Sequence, residues 1–553
     1  MNAPKKSRRP GWLLLTLLMA LALLASACGA PTAEPTSEPV GVETQTGPDT
    51  APLNVLRLQL PEPTSLDPPF YFVGTQTTAY VLRHLFDGLT LTDLETGEAL
   101  PGVAETWEVS EDGLTWTFHL RSGSLWSDGT EVTAQDFEYA WKRNIDPETA
   151  IEALWVMEPI AGATDIMYEG ADPDTLGIEA LDDYTLTITT VEPMSYLPQY
   201  VTMATFWPLP RWAIEEHGSE WIEAENIVVN GPYLVERWEH DRELDLIRNP
   251  TYWGEPVAID RVEIQLATGT PFMAYQEGEI DVTEVGIADV PVVEADPTLS
   301  AQLIHVLYKW LFFLQLDGRH PPFDDLRVRQ AFYLAIDREV ISNDILGGAT
   351  VPAYTFIPEG TLGQNADARI EGDVATAQAL LAEAGYPGGA GFPSVRITLA
   401  ASQPGTQYYL TVSAIQTMLR ENLGVEIELD MMEEAAFWNW RGTLSESEYD
   451  IVWSNWAGDI DDPAQWNLAQ TDVNPTGFSD AQYDELVGQA ALETDPARRA
   501  DLYQQAEVIG VRGAATIPVY YSSGYWLVNP RVAGIQFEPL WGVMYWRYAH
   551  IVE

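Results

Sequence analysis

Between residues 374 and 457 the apolar pattern switches period several times, and this switching constrains the fold more than any other feature of the chain. Val374 to Ala384 reads as a helix that stops at Gly385 and Pro387. Thr411 to Leu423 reads as another, followed by a strand over Val425 to Leu429. Ile451 to Trp456 alternates large apolar with small polar residues, again a strand, before Gly458, Asp459 and the Asp462-Pro463 pair end it in a loop. Helices alternating with strands predict an α/β lobe. No repeat recurs at a period of ~20–50 residues.

The rest of the chain is too long to join that lobe. A chain of 553 residues exceeds what one core can organise and predicts at least two domains. Val55 to Leu60 alternates like a strand, Thr78 to Phe86 reads as a helix, and residues 101–121 read as a β-meander split by the Asp112-Gly113 hairpin signal. Thr133 and Asp136 cap a helix that runs to Arg143. After Pro321-Pro322, Asp324 and Asp325 open a helix whose Val328, Ala331, Phe332, Ala335, Ile336 and Val340 fall at core-facing spacing. Its Arg327, Arg329, Asp337 and Arg338 read as solvated face or local ion pairs.

The amino terminus sets the compartment. Lys5, Lys6, Arg8 and Arg9 precede an apolar run from Trp12 to Ala25, short for a spanning helix and suited to an export signal. The run ends in Leu24-Ala25-Ser26-Ala27-Cys28, and Cys28 is the sole cysteine of the chain. The segment resembles a bacterial lipobox, with Ala25 where Leu is usual, and so implies cleavage after Ala27 and lipidation of Cys28. An ordinary signal peptide cut near Ala27 is the alternative. With Cys28 lipidated, no disulfide or thiol chemistry is available. Residues 29–50, rich in Pro, Thr, Gly and Glu, cannot bury a core and are expected to form a disordered tether (28–50 with the lipidated cysteine). The expectation is an exported body held by lipid at the outer face of the cytoplasmic membrane, on the periplasmic or extracellular side.

Charge excludes other roles. With 83 acidic against 28 basic residues, formally −55, the chain lacks the basic face that nucleic acid or anionic lipid would need. G-x-S-x-G and H-E-x-x-H are absent and the seven histidines are scattered, so no catalytic residue, metal or cofactor is expected. An anchored glycoside hydrolase using two of the many carboxylates is a remote alternative. One stretch carries ligand chemistry. In Tyr449 to Trp466, YDIVWSNWAGDIDDPAQW, the indoles of Trp453 and Trp456 precede Asp459, with no basic residue among them. An aromatic wall beside an unpaired carboxylate suits a cationic group such as an amine. A core strand running into an Asx-rich turn accounts for the same residues.

The resemblance that orders these pieces runs through SLDP (65–68), the blocks within 101–137, DPETA (146–150), NGPYLVERW (230–238), RNPTYWG (248–254) and GEIDV (278–282). It continues through PPFDDLRVRQAFYLAIDRE (321–339), LLAEAGYP (380–387), ENLGVEIEL (421–429), W-A-G-D with Asp462-Pro463 behind it, and IPVYY (517–521). The ordered set, covering nearly all of 54–553, resembles solute-binding protein family 5 of peptide-type ATP-binding cassette (ABC) importers, nearest to the oligopeptide-binding members.

That resemblance implies a two-lobed α/β fold of the periplasmic-binding-protein kind (type II, with an inserted domain), with ligand in the cleft between lobes. Lobe I would comprise 54–74, 200–300 and 520–553, with an inserted domain at 75–199; lobe II would be 301–519. By position, Asp459 would hold a ligand α-ammonium, Trp456 would be the aromatic three residues before it, and Asn455 and Ala457 would contact an extended ligand through their main chain. Val73, in the apolar run Tyr71 to Gly74, stands where relatives can place an acidic residue. Where they or their dipeptide relatives place Arg or His to meet the ligand carboxylate, this chain has Trp453 on the strand and only neutral residues around Ala401 to Gln407, so the carboxylate end has no evident clamp. The implied function is delivery of oligopeptides to ABC permease subunits by a non-enzymatic monomer. The alternative is the same fold binding a non-peptide solute such as a sugar, metal chelate or other cationic small molecule.

Overall fold

A computed structural model describes residues 53–71, 76–147, 149, 154–267, 269, 271–401, 406–471 and 474–552. The export signal, Cys28, the tether and Val73 lie outside the described residues.

Strand β1 (Val55–Leu60) buries Leu56 and Leu58 by simple alternation. Helix α1 (Gln76–Leu85) turns Tyr80, Val81, Leu82 and Leu85 inward. The meander becomes β2 (Ala104–Val109) and β3 (Thr115–Leu120), joined through Gly113 at φ 74°. Helix α2 (Ala134–Ile145) starts on the expected capping box: the Thr133 backbone N–H donates to Asp136 Oδ2 at 2.8 Å. Strands β4 (Ile178–Asp182) and β5 (Thr185–Thr189) complete an antiparallel sheet in the order β2-β3-β5-β4. A second sheet sets β1 parallel to β8 (Arg261–Leu266), with β7 (Glu243–Arg248) and β6 (Tyr233–Glu239) beyond. Both sheets share one core with residues from the far end of the chain: Trp546 stacks on His84, ring centroids 3.7 Å apart.

The next sheet contains the crossing. Strand β9 (Val282–Val285) is followed by β10 (Leu303–Leu316), which pairs antiparallel with a long strand near the carboxyl end, Thr516–Val528. Their register shifts between Leu307 and Leu311, where the Lys309 backbone N–H donates to Pro539 O at 2.6 Å. Past that break a second core begins, covered by α3 (Leu326–Ala335) and α4 (Val374–Glu383). Strand β11 (Val395–Ala400), helix α5 (Gln407–Leu423) and strand β12 (Ile427–Met432) form a parallel β-α-β unit, in keeping with the expected α/β lobe although β11 itself is not among the expected strands. Helix α6 (Glu434–Arg441) and strand β13 (Ile451–Ala457) follow, and β13 inserts between β10 and β11.

The reading of residues 326–340 needs correction. Helix α3 stops at Ala335, and Ile336 is extended at φ −95°, ψ 115°. Arg338 is not solvated and has no ion pair among the described residues. It is 3% exposed, and its guanidinium donates to Tyr333 O (3.2 Å), Ile336 O (3.1 Å) and Pro518 O (2.8 Å). Helix-end carbonyls have no intrahelical donor, and a buried arginine supplies one here. Arg329 likewise donates to carbonyls, those of Phe323 and Gly513, whereas Arg327 makes the expected local pair with Asp325.

Candidate ligand-binding site

Strand β13 is paired unequally on its two edges. Against β10 it pairs along its whole length, Leu316 opposite Ile451 to Trp310 opposite Ala457. Against β11 it pairs only at Ile451 and Val452. Residues 453–457 therefore present an edge with no strand partner among the described residues, and such an edge can accept an extended chain as an added strand.

Alternation sorts the side chains. Trp453 faces the second core: it is 2% exposed, with Phe312 and Tyr520 rings 6.0 and 5.9 Å away. The expectation that its indole meets ligand is not what this packing shows; only its backbone reaches the open edge. Asn455 is half-buried, accepting from Trp310 Nε1 (3.0 Å) and donating to the Tyr408 hydroxyl (3.4 Å). Trp310 in turn packs on Trp541, 5.7 Å between centroids. On the opposite face, the half-buried Trp456 donates from Nε1 to Gln465 O at 2.7 Å and walls a cavity of about 440 Å³ that also meets Phe313, Gln315 and Arg441.

Ala457 is buried at the strand end. At Gly458 a Cβ would stand 2.8 Å from Ile460 O and 2.9 Å from the Gln465 side chain, so the chain can turn there only without one. Three aspartates follow. Asp462 accepts from both terminal nitrogens of Arg499 (2.6 Å each) and from the Ala464 N–H (2.9 Å). Asp461 pairs with Lys309 and accepts from Thr361 Oγ1 at 2.7 Å. Asp459 receives neither treatment. Its N–H donates to Gln465 Oε1 (3.2 Å), while its carboxylate has no hydrogen bond or ion pair among the described residues. Burial pushes that carboxyl up to about 6. Its charge also raises the pKa of Tyr200, second to burial, which places Tyr200 of the first core within its field. The site thus couples an open strand edge, an indole wall and an uncompensated negative charge. No group of His, Cys, Asp or Glu among the described residues has metal-holding geometry.

Sequence reasoning singled out Asp459 and Trp456 but missed Arg441, Gln315, Trp310 and Trp541. One signal was available: Arg441 is the sole basic residue between Arg420 and Arg498.

A family model for bacterial extracellular solute-binding proteins, family 5 middle, matches residues 98–476. This chain belongs to that family. It is 32% identical to the periplasmic oligopeptide-binding protein OppA of Escherichia coli over 562 residues, covering 97% of this chain and 98% of that one. It is 33% identical over 487 residues to the probable deoxycholate-binding periplasmic protein YgiS of E. coli, covering 86% and 89%. The fold matches the murein tripeptide-binding protein MppA in its unliganded open form with a TM-score of 0.80, 28% identity and coverage of 91% and 98%. Another structure of MppA, from E. coli, gives 0.67 at the same identity, with coverage of 91% and 99%. Fold and family are therefore those of two-lobed solute-binding proteins.

Proposed function

We propose that the protein is a lipid-anchored extracytoplasmic binding protein that captures oligopeptides and delivers them to ABC permease subunits. The observation that carries this reading is Asp459, a desolvated carboxylate without a partner among the described residues, at the end of an open strand edge. An extended peptide satisfies both at once: its backbone adds to the edge at residues 453–457 and its α-ammonium neutralises Asp459. Trp456, Asn455 and Ala457 then act through an aromatic wall and main-chain groups. Full-length similarity to an oligopeptide-binding protein supports the same reading. The lobes are assigned as 54–74 with 200–300 and 520–553, carrying an insertion at 75–199, and 301–519; Cys28 carries the lipid.

A second reading, a non-peptide solute, draws on the likeness to YgiS and on the aromatic cluster of Trp310, Trp541 and Tyr408 beside Asn455. Asp459 weighs against an anionic member of that class such as a bile acid, because two carboxylates would share a desolvated cleft.

One measurement tests ligand and anchor together: native and intact-mass spectrometry of protein extracted from membranes. The expected result is a diacylglyceryl mass on Cys28 and a set of released peptides. A single non-peptide mass would transfer the function to the second reading, and an unmodified Cys28 would remove the anchor.

A further inference from the structure

The run RNPTYWG (248–254) takes no part in the site on β13, yet it helps to wall a cavity of its own. Tyr252 to Pro256, between β7 and β8, enclose about 450 Å³ together with Arg547 and Tyr548 near the carboxyl end. The cavity stands at the amino-terminal end of the parallel pair β1 and β8, where Ala258 in its wall accepts from Asn54 Nδ2 at 3.2 Å. Neither β13 nor the Asp459 loop contributes to it among the described residues.

Two of its walls hold donors without an acceptor. Trp253 Nε1 and Arg547 Nε are both buried, and neither has a hydrogen-bond partner among the described residues. The charge of Arg547 is accounted for: the guanidinium pairs through a terminal nitrogen with buried Asp87, which also accepts from the Tyr252 hydroxyl at 2.6 Å. That network explains where the arginine stands but leaves its Nε unused. A second cation lies close by. The Arg121 guanidinium sits over the Trp253 ring, 4.1 Å from its centroid, with Nε donating to Gly102 O at 2.8 Å. No Asp or Glu pairs with Arg121 among the described residues. Unmet indoles recur singly in the cores, as at Trp453 and Trp546; here one shares a cavity with an unmet guanidinium N–H. An unmet buried donor costs about 1–3 kcal/mol, and a chain with 83 acidic residues has acceptors in plenty. Two such donors on one cavity point to an acceptor that comes from outside.

We propose that this cavity is a second ligand site, for a small aromatic carboxylate. The carboxylate oxygens accept from Arg547 Nε and Trp253 Nε1, and the ring packs against Tyr252, Trp253 and Tyr548. A volume of about 450 Å³ holds a single-ring molecule. Among the described residues the wall includes one carboxylate, the exposed Glu255, which opposes an anion and tempers its affinity. The site goes beyond peptide capture and does not depend on it.

The test titrates phenylacetate, phenylacetamide and acetate against the full-length protein, read by saturation-transfer NMR of each probe. Phenylacetate should bind roughly tenfold tighter than either of the others, because the amide lacks the charge and acetate lacks the ring. Glu255→Gln, a change at an exposed position, should tighten phenylacetate about twofold and leave phenylacetamide as it was, as removal of an exposed like charge requires. Trp253→Phe keeps a ring, loses the N–H, and should weaken phenylacetate roughly fivefold or more. Should that variant misfold, the Glu255→Gln comparison decides alone. Equal binding of phenylacetate and phenylacetamide overturns the site, as does phenylacetate binding that Glu255→Gln leaves untouched or no binding of phenylacetate at millimolar concentration. None of these results bears on peptide capture at β13.

Discussion

Three aspartates within four residues meet three fates, and that is where residue-level chemistry decides function. Asp461 and Asp462 are neutralised by Lys309 and Arg499, partners that lie 152 and 37 residues away in sequence. Nothing local to the sequence separates them from Asp459; only the fold shows which carboxylate is left over. Asp459→Asn is expected to lose about 2–4 kcal/mol of peptide binding, the cost of breaking a desolvated charge pair, measured by calorimetry above neutral pH. The pH dependence has a definite sign. The free carboxyl titrates at about 6, and a bound ammonium lowers that value. Below pH ~6 binding must expel a proton, so affinity falls as pH drops through that value and is level well above it. Asn at 459 should flatten the profile, and an unchanged profile would remove Asp459 from the ammonium site. Trp453 shows the limit in the other direction: its place in the sequence suggests the site, but strand parity turns it into the core.

At the scale of elements, periodicity carried most of what the sequence could tell. The meander and the capping box on Thr133 and Asp136 appear where spacing puts them, whereas β11, the first strand of the β-α-β unit, is not among the strands read from the sequence. Two helix boundaries differ from the spacing. Helix α5 begins at Gln407, one turn ahead of the expected start, and α3 stops short because Arg338 takes over its terminal carbonyls. That arginine also reaches Pro518 O on the crossing strand, so it ties the end of a helix to the sheet. Arg338→Met keeps most of the side-chain volume but leaves several buried carbonyls without a donor. It is expected to cost roughly 3 kcal/mol or more, given ~1–3 kcal/mol for each unsatisfied buried group. Urea unfolding would show this as a lower midpoint at constant slope; a change under 1 kcal/mol would mean that water replaces the guanidinium.

At the scale of the whole molecule, composition and length predicted more than one core but could not say how the chain passes between them. The passage is made by β10 and the strand Thr516–Val528, which run continuously from one core to the next. Their ladder loses register between Leu307 and Leu311, where the first core gives way to the second. The chain matches the unliganded open form of MppA with a TM-score of 0.80. Asp459 lies at the end of the open edge of β13, with Tyr200 of the first core within its field. Peptide binding supplies contacts to both sides and should therefore favour closure about the register break. Small-angle X-ray scattering should show the radius of gyration contracting on saturation with a binding peptide. Asp459→Asn should need more peptide to reach the same contraction, because it weakens binding without altering the hinge. A radius unchanged at saturation would place the whole recognition surface on the second lobe and leave Tyr200 with no part in it.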